Sequence, residues 1–246
     1  MHYLKAENLK HKHTFTRTLI FLAPFVTVLM TCLSPVWFQV NAFNWWYVFL
    51  YPGFLTLLCV MIEQKDSGKK KYQTIFTLPV QLSRIWLAKI ETAGLYALFG
   101  NLIFFTLNVL GGFILRQFLG QDMTIGVSNA LLGTALIVLV GLWEIPFCLY
   151  LTKKTGLALS LMINVGIGSI LGILLASHSY WFLCPYSWVP RLMIYILHIM
   201  PNGTLVQVAT IENVPVVVGL TLALSILLFI ILSIVTANQF SKQEAK

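Results

Sequence analysis

Long stretches of this sequence carry no charged side chain, and these gaps constrain the fold more than any other feature. No Asp, Glu, Lys or Arg occurs between Arg17 and Glu63. Four further gaps separate charged residues 91 and 116, 122 and 144, 154 and 191, and 212 and 242. A helix that crosses the hydrocarbon core of a membrane needs about 20 mainly apolar residues. Each gap therefore accommodates one such helix, and the first accommodates two.

The composition agrees with a chain that is surrounded mainly by lipid. Apolar residues make up 58 % of it and charged residues 10 %, against about 45–50 % and about 25 % in soluble domains. Backbone groups in lipid must be satisfied internally, and these runs lack the alternation of barrel strands. We predict an all-α integral membrane protein of six transmembrane helices, forming a single domain over residues 1–246. The predicted spans are 18–36, 45–62, 90–114, 127–150, 156–176 and 215–236.

The distribution of Lys and Arg predicts that both termini lie in the cytoplasm. With that orientation, 14 of the 16 basic residues fall in cytoplasmic segments, and only Arg116 and Arg191 fall outside. This is the arrangement that the positive-inside rule favours. The net charge of +8 is then a topology and lipid-headgroup signal rather than evidence for nucleic acid. The aromatic residues predicted at the outer interface are Trp37, Trp45, Trp46, Tyr180, Trp181 and Trp188.

Known catalytic and nucleotide-binding motifs are missing from the sequence. It contains no G-x-x-x-x-G-K-[ST] phosphate loop, no H-E-x-x-H and no G-x-S-x-G. The four cysteines lack metal-ligand spacing; isolated packing residues are the favoured interpretation, and a bridge between Cys32 and Cys184 is the alternative. We therefore expect neither an enzyme nor a cofactor on this chain.

Two segments on the cytoplasmic side have their own patterns. Residues 1–17 mix apolar and basic side chains, which predicts an interfacial N-terminal helix; a frayed basic tail is the alternative. Within residues 63–89, a solvated turn is expected to precede a short helix with one apolar face. That helix could dock on a partner protein or only anchor the third span, and periodicity alone favours neither. Its candidate contact residues are Leu78, Pro79, Leu82, Arg84, Ile85, Trp86 and Lys89.

Residues 177–215 form an unusually apolar outer segment. Pro185, Pro190 and Pro201 interrupt it too often for a seventh span. We expect one or two re-entrant or interfacial helices there, between the fifth and sixth spans.

Glu144 is the one ionisable residue well inside a predicted span. Carboxylates within membranes are costly and commonly functional. The alternative, which we favour because no second acid or base lies within the spans, is a protonated carboxyl that is hydrogen-bonded across helices. Pro146 should kink the same helix, because it leaves the carbonyl of Leu142 without its helical partner.

Particular short segments of the sequence carry a family resemblance. They are residues 4–19 followed by Ala23-Pro24, Leu78-Pro79, the run from Cys184 to Trp188, and Pro201-Asn202-Gly203. These segments and the layout of helices resemble those of type-2 ABC exporter permeases, in particular the lantibiotic-protection (MutE/EpiE-type) permeases. In that family the N-terminal segment is an elbow helix, and the helix between spans 2 and 3 is a coupling helix.

The resemblance implies a subunit in a bacterial plasma membrane that expels lantibiotics or related cationic peptides. Its implied partners are a cytoplasmic ABC ATPase, in two copies, which would hold ATP and Mg, and a second six-helix permease. An immunity protein that sequesters the peptide without an ATPase is the competing hypothesis, although it would not need a docking helix. The outer residues that could face a peptide are Trp181, Tyr186, Trp188, Pro201 and Asn202.

The predicted orientation can be tested with an impermeant thiol reagent on intact cells. Ser67→Cys should resist labelling because residue 67 is expected inside, and Gln121→Cys should react because residue 121 is expected outside. The opposite labelling pattern would overturn every side assignment.

Overall fold

The computed structural model describes residues 2–67, 72, 80–120, 122–206 and 214–242. Within these ranges the regular structure is helical, apart from one isolated bridge between Ile199 and Leu205. Two π-helical stretches, Trp46–Leu50 and Met162–Ile167, connect α3 to α4 and α7 to α8. The α-helices are α1 His2–Lys10, α2 Phe15–Thr31, α3 Phe38–Trp45, α4 Tyr51–Ser67, α5 Leu82–Leu119, α6 Val127–Gly141, α7 Glu144–Leu161, α8 Gly168–Leu175, α9 Trp188–Ile196 and α10 Val214–Ser241.

Among the described residues, four helices are long and apolar enough to cross a membrane. They are Pro35–Ser67, Leu82–Leu119, Glu144–Leu175 and Val214–Ser241. A fifth candidate is the pair Tyr3–Lys10 and Phe15–Thr31, which is bent by 77°. The all-helical membrane fold is therefore confirmed in its class, with four or five spans by length and composition where the sequence predicts six.

The helix Glu144–Leu175 reverses direction at Gly156. This glycine has φ 78° and ψ −173°, a conformation that is essentially restricted to glycine. Asn164 donates a hydrogen bond to the Glu144 carboxylate at 3.2 Å, whereas 20 residues of unbroken helix would separate the two by about 30 Å. The arms on either side of Gly156 therefore lie antiparallel.

Two helices extend beyond the spans that we predicted for them, and the span boundaries themselves stay predictions. The second membrane helix begins at Pro35 rather than at residue 45, because Pro35 takes the first position of a 3₁₀ turn that continues into α3. α5 begins at Leu82 rather than at residue 90. The short helix that we predicted over residues 78–89 is therefore not separate in its described part, since residues 82–89 form the first turns of α5.

Trp46 lies in the aromatic core rather than at the outer interface. Its ring is fully buried and stacks on Phe104 with 4.9 Å between centroids. Its indole N–H donates to Asn101 at 2.9 Å, which satisfies the polar edge inside the bundle. Trp181 and Trp188 are also buried. Of the predicted interface aromatics, only Trp37, Trp45 and Tyr180 are exposed.

α1 is a helix that packs against α5, so the frayed-tail alternative is wrong. Tyr96 on α5 donates to Asn8 at 2.6 Å, and Arg17 donates to the same side chain at 3.1 Å. His11, which is fully buried, meets Tyr96 edge to face. These contacts hold α1 at its bend relative to α2.

The outer segment contains two 3₁₀ turns, Trp181–Leu183 and Pro185–Ser187, followed by α9. α9 has nine residues, which span about 14 Å and cannot cross a membrane. Asn44, in α3, donates to the carbonyls of Met200 and Pro201 at 3.1 and 3.0 Å. The segment is thus tied directly to the second membrane helix.

Candidate functional site

A cluster of buried charges joins α1, α4 and α5 at one end of the bundle. We call Glu7, Lys10, Glu63, Asp66 and Lys89 the charge cluster. The Lys89 amine lies 2.9 Å from Asp66 and 3.3 Å from Glu63. The Lys10 amine lies 2.7 Å from Glu7 and 3.0 Å from Asp66. Asp66 therefore bridges two lysines that come from different helices.

The geometry of α4 explains why its two carboxylates converge. Glu63 and Asp66 are three residues apart, so they share one face of the helix. α4 continues to Ser67, so the solvated turn that we predicted over residues 63–71 is wrong for residues 63–67, and the rest of it lies outside the described residues. The Lys89 side chain is 0 % exposed and that of Glu63 is 3 % exposed. Buried charges of this kind are tolerated only when they are paired.

Lys10, at the edge of the cluster, is partly exposed. Burial works to lower its pKa, but the Glu7 and Asp66 carboxylates outweigh this effect and raise the pKa above the ordinary lysine value. The amine is therefore charged at neutral pH, as its two ion pairs require.

Aromatic side chains extend the cluster toward α10. Trp86 stacks on Phe240 with 4.8 Å between centroids and donates its N–H to Thr236 at 2.9 Å. Tyr72 donates to Glu63 and packs edge to face on Phe240. The start of α5 is therefore locked to the end of α10.

These contacts correct our interpretation of the docking helix. Leu82, Ile85, Trp86 and Lys89 are buried against the chain itself, because the face that carries the apolar repeat turns inward, so they offer no exposed anchors. Arg84 is exposed. Leu78 and Pro79 lie outside the described residues.

A second polar group lies within the helices, around Asn164. We call Thr56, Glu144, Asn164 and Tyr186 the polar network. Asn164 donates to Thr56 at 3.0 Å and to Glu144 at 3.2 Å. The Tyr186 hydroxyl, from the outer segment, donates to the side-chain carbonyl of Asn164 at 2.9 Å. Glu144 is therefore hydrogen-bonded across helices, as our favoured interpretation required; its protonation stays a prediction.

The space beside Glu144 is small. A cavity of about 20 Å³ is lined by Tyr51, Glu144, Gly168 and Tyr186, among others. That volume accommodates about one water molecule. A peptide cannot enter the bundle at this point in the described conformation.

Most of the five outer residues that we predicted to face a peptide pack within the protein, and their peptide-facing role stays a prediction. Trp181 and Trp188 are buried, and Trp188 packs edge to face against Trp143. Pro201 is buried as well, and Tyr186 belongs to the polar network, whereas Asn202 is exposed. The outer segment instead exposes Tyr180, Phe182 and Leu183.

Sequence reasoning missed both the ion pairing and the role of Asn164. A signal existed for each, namely carboxylates three residues apart at the end of a span and a lone amide within an apolar run. Neither identifies its partner, because the partners come from distant parts of the chain. All four cysteines are free thiols, so the bridge alternative is not formed.

Comparison with protein families gives one match. A model described as ABC-2 family transporter protein matches residues 3–173, which is 171 of the 246 residues. The match contains the whole charge cluster and, of the polar network, all but Tyr186. Comparisons with curated proteins and with solved structures gave no match.

Lys89→Met should destabilise the chain by about 3–5 kcal/mol, because it leaves the buried Glu63 without its amine and Asp66 paired with Lys10 alone. Arg84→Met is the matched control, since it removes the same charge from an exposed site on the same helix. Thermal unfolding of the purified protein in detergent measures both. Equal melting temperatures for the two variants would show that the cluster contributes nothing to stability.

Glu144→Gln should leave assembly intact and reduce transport only modestly. The amide carbonyl can accept the Asn164 hydrogen bond, so the loss of stability should stay below about 1 kcal/mol. Glu144→Leu removes the acceptor and should lower the melting temperature further. Complete loss of transport by Glu144→Gln at normal expression would instead show that the carboxylate acts in the transport cycle.

Proposed function

Because the chain belongs to the ABC-2 family of transporter proteins, and is therefore a membrane subunit of an ABC transporter rather than a catalyst, we propose that it works as an exporter of lantibiotics or related cationic antimicrobial peptides. The family implies an ABC ATPase partner. We assign two ATPase copies, a second permease subunit and a bacterial plasma membrane as parts of the same proposal. The opening residues and the Pro201-Asn202-Gly203 segment resemble those of lantibiotic-protection permeases, and this resemblance supports cationic peptides as the substrate class.

We propose six spans, with both termini inside. The reversal at Gly156 supports this count, since it divides the helix Glu144–Leu175 into two arms. Leu142 and Trp143 keep right-handed helical dihedral angles, so α6 and the first arm can act as one kinked span. The proposed spans are 15–31, 35–67, 82–119, 127–155, 157–175 and 214–241.

The ATPase contact in this proposal lies at the end of the bundle that carries the charge cluster. This chain lacks a phosphate loop, so energy has to reach it through another polypeptide. We place the contact on residues 78–84, where Gln81 and Arg84 are exposed. Leu82 and Trp86 support that surface from behind, because both are buried in the chain's own core.

Movement at this surface would be passed along α4. The ion pairs of the charge cluster attach α5 to α4 through Glu63 and Asp66. About 16 Å away along the same helix, the Pro52 carbonyl and Thr56 contact Asn164. Asn164 in turn holds Tyr186 of the outer segment. This continuous series of contacts is the observation that carries the proposed mechanism.

In this mechanism the transporter takes its substrate from the outer leaflet of the membrane. The cavity beside Glu144 holds about one water, so in this proposal a peptide is displaced from the outer surface rather than passed between the helices at that point. Exposed aromatic residues at that surface, Trp37, Trp45 and Tyr180, can contact apolar and cationic groups of an amphipathic peptide.

The proposal is tested in a peptide-sensitive bacterium that expresses the chain with its ATPase. The pair should raise the inhibitory concentration of a lanthionine-containing cationic peptide, and an ATPase that cannot hydrolyse ATP should abolish the effect. Resistance without a functional ATPase would favour sequestration of the peptide. If neither the functional ATPase nor the inactive one gives resistance, the proposed substrate class is refuted, while the family membership is unaffected.

The same strain tests the contact surface. Arg84→Glu should prevent the ATPase from co-purifying and should remove resistance, while the permease accumulates normally. Lys12→Glu is the matched control, because it reverses an exposed charge in the turn that follows α1, outside the proposed contact. If the Arg84→Glu chain retains its ATPase, residues 78–84 are not the contact.

A further inference from the structure

A cavity of about 230 Å³ opens where α7, α10 and the start of α5 meet. It lies at the same end of the bundle as the charge cluster. Three lysines, Lys153, Lys154 and Lys242, line it together with the side chain of Gln239. Among the described residues that line it there is no Asp or Glu. The cavity is therefore a concentrated site of positive charge that offers several N–H donors.

Aromatic rings hold one of these amines in place. The Lys153 amine lies 3.9 Å from the centroid of the Phe240 ring and 5.5 Å from that of Trp86. The Lys154 amine lies 5.8 Å from the Tyr150 ring. Such cation–π contacts restrict long side chains that would otherwise be free to rotate. Part of the cost of ordering the site is therefore met before any ligand binds.

The ligand class follows from this chemistry. Ammonium groups bind phosphate as point charges, and basic pockets between membrane helices on the cytoplasmic side bind phosphate-bearing headgroups. The volume of the cavity suits a phosphate group with its immediate substituents, and its aromatic walls tolerate apolar atoms.

The surface beside the cavity favours a ligand that carries acyl chains. α10 exposes a run of apolar side chains that leads toward the cavity and includes Leu227, Ile231, Ile234 and Val235. Lys242 directly follows the last residue of α10, which itself carries no charged side chain. A headgroup held by the lysines would leave its acyl chains against this apolar face of α10.

We propose that Lys153, Lys154 and Lys242 form a phosphate-binding site, which an anionic lipid of the inner leaflet occupies through its headgroup. The inner leaflet follows from the proposed orientation, but the binding chemistry does not depend on it. The site adjoins the charge cluster, because the Lys153 amine also lies 4.8 Å from the ring of Tyr72, which donates to Glu63. Bound lipid would fasten the end of α10 to α7.

The site can be tested by titrating the purified full chain in detergent with phosphatidylglycerol, and by counting bound lipids with native mass spectrometry. Lys153→Gln, Lys154→Gln and Lys242→Gln combined should weaken binding about 100-fold, at about a factor of five for each lysine. The control combines Lys5→Gln, Lys12→Gln and Lys65→Gln, which removes the same charge from exposed sites elsewhere. The control should bind within about twofold of the parent chain.

Two further measurements identify the source of the phosphate and control for misfolding of the variants. Inorganic phosphate alone, if it binds more tightly than phosphatidylglycerol, would overturn the lipid as occupant. Substitution of the three lysines by arginine should preserve both folding and binding, because the charge is kept. Equal loss of lipid binding by the two glutamine variants would overturn the site itself.

Discussion

The fold at one end of this protein depends on the pairing of the buried Lys89 amine. An unpaired ammonium in such a place would cost several kcal/mol, so α1, α4 and α5 have to meet where Glu63 and Asp66 can reach it. Asp66 also pairs with Lys10, which fixes the N-terminal helix. The position of α1 and the start of α5 thus both depend on this ion pairing, beside the hydrogen bonds of Asn8 and the contacts of Trp86 with α10.

The second constraint is the small space around the polar network. Thr56, Glu144 and Asn164 satisfy one another within the helices, and Tyr186 closes the group from the outer side. In the described conformation the helices leave no room for a large substrate at this network. Transport by a subunit built in this way would have to involve relative movement of elements that remain packed.

The sequence anticipated some features of the site because they depend on local chemistry alone. Glu144 was singled out because a carboxylate in an apolar run is costly wherever it lies. Its partner could not be predicted, because Asn164 is brought close only by the reversal at Gly156. The apolar repeat of Leu82, Ile85 and Trp86 was correctly recognised as one helix face. Periodicity identifies such a face but does not say whether it packs on the same chain or on a partner.

Composition and charge spacing alone determined that this chain is a helical membrane protein, because lipid excludes any other way to satisfy the backbone of long apolar runs. They also predicted an intramembrane acid and a basic side. The tertiary structure decided which aromatic residues face inward: Trp46 is buried because Asn101 is there to accept its indole N–H. It also decided that Glu63 and Asp66 are buried rather than solvated, since only the folded chain brings Lys10 and Lys89 to them. Partners that are distant in sequence are set by packing, and no local pattern encodes them.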